Sequence, residues 1–112
     1  MVSKDIINLL IKRASSERTR TTVFSPTRPT HWAPREVTCP ETGEAFTPAG
    51  AWDFVVQKLQ SGEPLEVIEM DKPAGAKGYV MKCAGVASQI IYIKLQLGHD
   101  NVIGRSFHLS DR

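Results

Sequence analysis

The chain has 112 residues and a mass of 12.4 kDa, enough for one domain over residues 1–112 and too few for two. With 41% hydrophobic and 23% charged residues it has the composition of an ordinary globular chain, able to build a modest core without obligatory disulfides or metal. A formal net charge of +2 is too small to announce nucleic-acid binding. No apolar run reaches the roughly eighteen residues a transmembrane helix needs.

Met1, Val2, Ser3, Lys4 and Asp5 lack the basic segment and apolar core of a signal peptide, so the expected compartment is the cytoplasm. There the two cysteines, Cys39 and Cys83, are expected to be reduced. The distribution of charge says more than its sum. Residues 1–35 carry seven Lys or Arg against two acids, residues 63–71 hold four acids and no base, and residues 72–105 hold five bases against Asp100. Two basic regions flank an acidic segment, a pattern compatible with a phosphate-facing surface or with scattered, solvated lysines.

In chain order, Ser3 is a capping residue for a helix over residues 4–11, with Asp5 in its first turn. Ile6, Leu9 and Leu10 recur at helical spacing, and Ile7 and Ile11 widen the stripe. Residues 15–36 are polar, basic and punctuated by Pro26, Pro29 and Pro34; they are expected to be loop or extended chain, with a short strand at residues 21–24. Residues 36–39 and 44–47 flank a turn in which Gly43 supplies positive φ. Thr47 and Pro48 form a strong helix start, Trp52, Val55, Val56 and Leu59 follow at helical spacing, and Ser61 and Gly62 end the helix.

The period then changes from helix to strand. Strands are expected over residues 64–70, 77–83, 89–97 and 102–109, joined by a loop at 72–76 and turns at 84–88 and 98–101. The fold class expected is α+β, two helices packed on one face of an antiparallel sheet of about four strands.

Strand alternation divides the residues between two faces. Ile91, Ile93, Leu95 and Leu97 form one face of the third strand, with Phe107 as the core residue of the fourth. Ile90, Tyr92, Lys94 and Gln96 form the other, with Ser106 and His108 across from them if the hairpin pairs in simple register. Strict alternation puts Arg105 on the Phe107 side, an expensive place for a guanidinium; a bulge at Gly104 would re-aim it outward. The resulting face carries His108, Tyr92, Lys94 and Arg105 as candidate catalytic residues. Lys77, Tyr79, Lys82 and Ser106 are candidate substrate contacts. Such a set fits metal-free RNA cleavage: a base removes the 2′-hydroxyl proton, cations stabilise the phosphorane and an acid protonates the leaving 5′-oxygen. The alternative is that these are the usual polar side chains of a solvent-facing sheet. The spacing of His31, Cys39, Cys83, His99 and His108 does not match a zinc site. Trp32 is expected to pin the basic loop to the core rather than stack on a base, His99 to sit exposed in a turn, and Cys83 to pack as a small core residue.

Residues 91–97, a short turn and residues 102–108 resemble the C-terminal hairpin of MqsR-type toxins, mRNA-cleaving components of bacterial toxin–antitoxin pairs related in fold to RelE-like ribonucleases. The shared pattern is Tyr-x-Lys (Tyr92, Lys94) on one strand and Ser-Phe plus a polar residue (Ser106, Phe107, His108) on the next. His108 stands where the family has lysine. The resemblance implies a RelE/MqsR-like fold, active-site roles for Tyr92 and His108 with Lys94 nearby, RNA as substrate, no cofactor, and a cognate antitoxin as partner. It does not extend to residues 19–47. Two other readings remain open from the residues: a non-catalytic RNA- or protein-binding α+β module, and a regulatory protein with no nucleic-acid role.

Overall fold

A computed structural model describes residues 2–22, 31–69 and 77–110. Helix α1 spans Lys4–Ala14 and helix α2 spans Pro48–Gln60. Six strands follow or intervene: β1 (Arg20–Thr21), β2 (His31–Trp32), β3 (Glu66–Glu69), β4 (Lys77–Ala84), β5 (Ile90–Leu97) and β6 (Val102–Leu109). Among the described residues no helix is long and apolar enough to cross a membrane.

Both helices begin where their capping residues dictate. The Ser3 hydroxyl accepts the Ile6 N–H at 3.2 Å, and Thr47 Oγ1 accepts the Gly50 N–H at 2.9 Å. Pro48, which has no N–H to lose, occupies the first turn of α2. Lys12 and Arg13 sit in the last turn of α1, where the dipole favours cations. Arg13 also reaches across to the β5–β6 turn and donates to the carbonyls of Gly98 and Asn101 at 3.2 and 3.1 Å. One side chain thus ties a helix end to the hairpin on which the site is built. Gly62 leaves α2 with φ +85°, and Gly43 turns the 38–45 hairpin with φ +75°.

The sheet differs from the expectation. It is mixed rather than purely antiparallel and has six strands rather than four, because β1 and β2 each add two residues in parallel along the outer edge of β6. Strands this short leave no alternation to read, so the pattern of residues 15–36 could not reveal them. The expected strand at 21–24 reduces to Arg20–Thr21 within the described residues; Val23 and Phe24, like Met70 and the 72–76 loop, lie outside them. The meander of β3, β4, β5 and β6 stands as expected, each pair antiparallel.

The face under the helices is the core. Leu10, Val55, Met81, Ile91, Ile93, Leu95 and Phe107 are all fully buried there. Phe107 meets Phe46 and Phe54 edge-on at 5.1 and 6.3 Å, and Trp32 at 5.2 Å. Trp32 in turn stacks on Trp52 at 4.8 Å, so it does pin the β2 segment to the core. Cys83 packs in this layer as a small apolar residue, and His99 is exposed in the β5–β6 turn.

Candidate functional site

The geometry of the second sheet face begins with a register shift. Lys94 pairs with Ser106, but the next residue of β5, Leu95, pairs with Gly104, leaving Arg105 as the extra residue of a bulge. The bulge has a packing cause. Gly104 faces the core directly under Trp32, and a Cβ there would come within 2.6 Å of the indole ring carbons. With Gly104 inward and Ser106 outward, one residue must be accommodated between them, and that residue is Arg105. Its Nη1 donates to Gln96 Oε1 at 2.6 Å, on the face away from the helices. The costly core placement of an arginine is avoided as expected.

Downstream of the bulge the register brings candidate residues together in cross-strand rows. Tyr92 pairs with His108 on β6 and with Lys82 on β4. The Tyr92 and His108 rings stack with centroids 5.3 Å apart and planes 22° from parallel. In the adjacent row Lys94 lies between Ser106 and Val80. Lys82 is exposed, while Tyr92, Lys94, Arg105 and His108 are half-buried, which holds the charges in a fixed array while leaving them accessible.

His31 joins this array without having been expected to. It lies on β2, and its ring centroid is 4.4 Å from that of His108. Three rings therefore run side by side across the sheet: His31, His108 and Tyr92. Sequence reasoning considered His31 only as a metal ligand. The available signal was its place beside Trp32: if the tryptophan pins the segment to the core, alternation turns its neighbour to the other face.

His108 Nδ1 lies 3.0 Å from the carbonyl oxygen of Leu109. A carbonyl only accepts, so this contact assigns the proton to Nδ1 and leaves the Nε2 lone pair available as a base in the neutral ring. His31, Glu36, Tyr92, His108, Leu109 and Ser110 line a depression of about 470 Å³, within the ~300–1,000 Å³ of typical small-ligand sites. A larger cleft of about 740 Å³ lies beside Trp32, on the opposite side of β2. The smaller one holds the two imidazoles, and chemistry rather than size decides between them.

The electrostatics of the array combine neighbouring cations with the carboxylates of Glu66 and Glu36. Burial, and then the neighbouring Arg105 guanidinium, push the Lys94 amine below its ordinary value. Burial, and then the carboxylate of Glu66, push the Tyr92 phenol above its ordinary value, so it is a protonated hydrogen-bond donor at neutral pH.

Two expected substrate contacts lie off this face, and a third lies on it but is covered. Tyr79 pairs with Leu95 on the core side and is 7% exposed, because β4 alternates it inward. Lys77 shares the Tyr79 side and lies at the far end of β4 from Lys82, five residues away, roughly 16 Å at strand rise. Ser106 does lie on the site face, across from Lys94, but is only 6% exposed. It supports the floor rather than offering a free hydroxyl. The face as a whole is less open than an alternating strand implies, since Val80, Gln96 and Ile103 on it are also buried. Among the described residues, no three His, Cys, Asp or Glu side chains converge as metal ligands.

Comparison with family models, with curated proteins and with solved structures returns no match for this chain.

Proposed function

We propose that this protein is a metal-independent endoribonuclease of toxin type that cleaves RNA on the sheet face carrying His31, His108, Tyr92, Lys94, Lys82 and Arg105. The carrying observation is the pair of imidazoles 4.4 Å apart, flanked by a stacked tyrosine and backed by cations. Transesterification needs one group to accept the 2′-hydroxyl proton and another to donate a proton to the departing 5′-oxygen. Two neighbouring imidazoles supply both. His108, with Nε2 free to accept, is the base, and His31, exposed at the rim, is the acid. The roles exchange when the cyclic phosphate is hydrolysed.

Lys94 and Arg105 stabilise the charge that accumulates on the non-bridging oxygens. Lys82, at the exposed end of the row, holds a neighbouring phosphate. Tyr92 packs against the His108 ring and donates its phenolic proton to a phosphate oxygen or stacks on a base. On this reading the order of elements, helices first and antiparallel meander last, is a MqsR/RelE-like arrangement, and the hairpin resemblance extends to its Tyr92 and His108 positions. The protein acts in the cytoplasm, restrained by a cognate antitoxin.

The test is induced expression of the wild type and of His108→Ala in a bacterial host, following growth and total RNA integrity. Growth arrest with RNA cleavage in the wild type alone supports the reading. Healthy growth and intact RNA with both overturn it; RNA binding without cleavage would then mark a non-catalytic module.

A further inference from the structure

A cleft of about 740 Å³ is not used by the chemistry above. It lies beyond the edge of the sheet, between β1, the 34–36 turn and the start of α2. Its floor is a tier of flat groups. Trp32 stacks on Trp52 at 28° from parallel, and the Arg20 guanidinium sits 5.7 Å from the Trp52 ring centroid. Arg20 is positioned from behind, its Nη1 donating to the carbonyl of Ala14 at 2.9 Å. The rim adds Arg35 and the carboxylates of Glu17 and Glu36, so two cations face two anions.

This composition selects a ligand class. A bare phosphate gains little from a rim whose charges cancel. A flat heterocycle with both donors and acceptors on its edge fits an apolar tier ringed by both signs. Guanidinium planes and aromatic edges are also the groups on which unstacked bases of single-stranded RNA are held.

The position selects the source. His31 and Trp32 are consecutive on β2, one turned to the imidazole pair and the other to this cleft. Glu36 lines both cavities. A chain crossing the β2 edge therefore passes from one to the other within a single residue of protein.

We propose that this cleft binds the base of a nucleotide flanking the cleaved phosphodiester, with Arg20 and Arg35 stacking on it and Glu36 accepting from its edge N–H groups. The proposal rests on the ribonuclease reading for its substrate class and names the subsite that this reading lacks.

The chain contains two tryptophans, and both line this cleft, so intrinsic fluorescence responds to its occupancy, and Arg35, which lines this cleft and not the imidazole depression, localises the signal. The probes are nucleoside 5′-monophosphates, a deoxytrinucleotide that lacks the attacking hydroxyl, and ribose 5-phosphate. The expected result is saturable quenching, corrected for nucleotide absorbance, by the first two and none by ribose 5-phosphate. Arg35→Ala, an exposed position, raises the half-saturating concentration about tenfold, the equivalent of one lost stacking contact. Quenching that is absent, or equal with ribose 5-phosphate, overturns the subsite and favours a protein partner in the cleft. The two readings fail separately. Base-dependent quenching with intact RNA in the wild type rejects the nuclease and keeps the subsite; RNA cleavage without base-dependent quenching does the reverse.

Discussion

The His31 imidazole packs against that of His108, ring centroids 4.4 Å apart, although the two residues are far apart in the sequence. They are held together by a two-residue parallel pairing between β2 and β6. That pairing is anchored on its other side by the Trp32 indole under the core helices.

Cleavage with a base and an acid on two different imidazoles makes each ring separately necessary to the rate. Replacing His108 by Ala is expected to remove the base, and replacing His31 by Ala the acid. Each lowers the rate about 10²–10⁴-fold. Both side chains lie outside the core, so thermal unfolding stays within a few degrees of wild type. An unchanged rate in His31→Ala would return the acid role to another group.

Gly104→Ala places a methyl group where the Trp32 ring sits. Overpacking of this kind costs about 1–3 kcal/mol, and here relief requires Trp32, and with it β2, to move. Stability and cleavage should therefore fall together in this variant, whereas His31→Ala lowers cleavage alone. Calorimetry and an RNA cleavage assay on the two proteins make the comparison. A Gly104→Ala protein with normal stability and rate would break the link between core and site.

Arg105→Gln removes the like charge that is the second cause of the lowered Lys94 value, leaving burial as the first. Lys94 should then titrate at higher pH, as read from the Nζ-adjacent carbon shifts by NMR, and cleavage should drop about 10–100-fold with loss of one charge-stabilising group. The linkage has a definite sign. A lysine lowered in the folded state is protonated in the unfolded chain between the folded value and 10.5. Stability from this group thus rises with pH through that window, and the rise should be smaller in Arg105→Gln. An identical Lys94 titration in both proteins would show that the two cations are screened from one another.

Cys83 is 1% exposed, and burial first, Glu63 second, push its thiol up to about 12. At pH 8 the thiolate fraction is on the order of 10⁻⁴, so iodoacetamide should modify Cys83 only as fast as the domain opens. Between 9.0 and about 12 the folded thiol keeps a proton that the unfolded one has lost. This group's contribution to stability therefore declines as pH rises through that window. Mass spectrometry of native protein at pH 8 is the check; labelling at the rate of a free thiol would contradict the burial.

The β5–β6 hairpin was legible residue by residue. Ile91, Ile93 and Phe107 fall inward and Tyr92, Lys94 and His108 outward by period two within each strand; the cost of burying Arg105 suggested a bulge at Gly104, and the tertiary structure decided it. The same rule read too simply overstated the openness of the face, because alternation assigns a side and says nothing of what covers it. Ser106 is outward by register and still buried. Tyr79 lies on the opposite face of β4 from Lys82 by the same alternation, and its phenol is apolar enough to be buried there.

What the sequence by itself determined was what is set by neighbours along the chain: both capped helices, four strands of the meander, and the division of β5 and β6 into two faces. Only the tertiary structure decided that β1 and β2 extend the sheet in parallel, and that His31 meets His108. Two residues of strand carry no periodicity of their own. Their position comes from where the Trp32 ring finds buried surface, and that surface exists only once α2 and the sheet have packed.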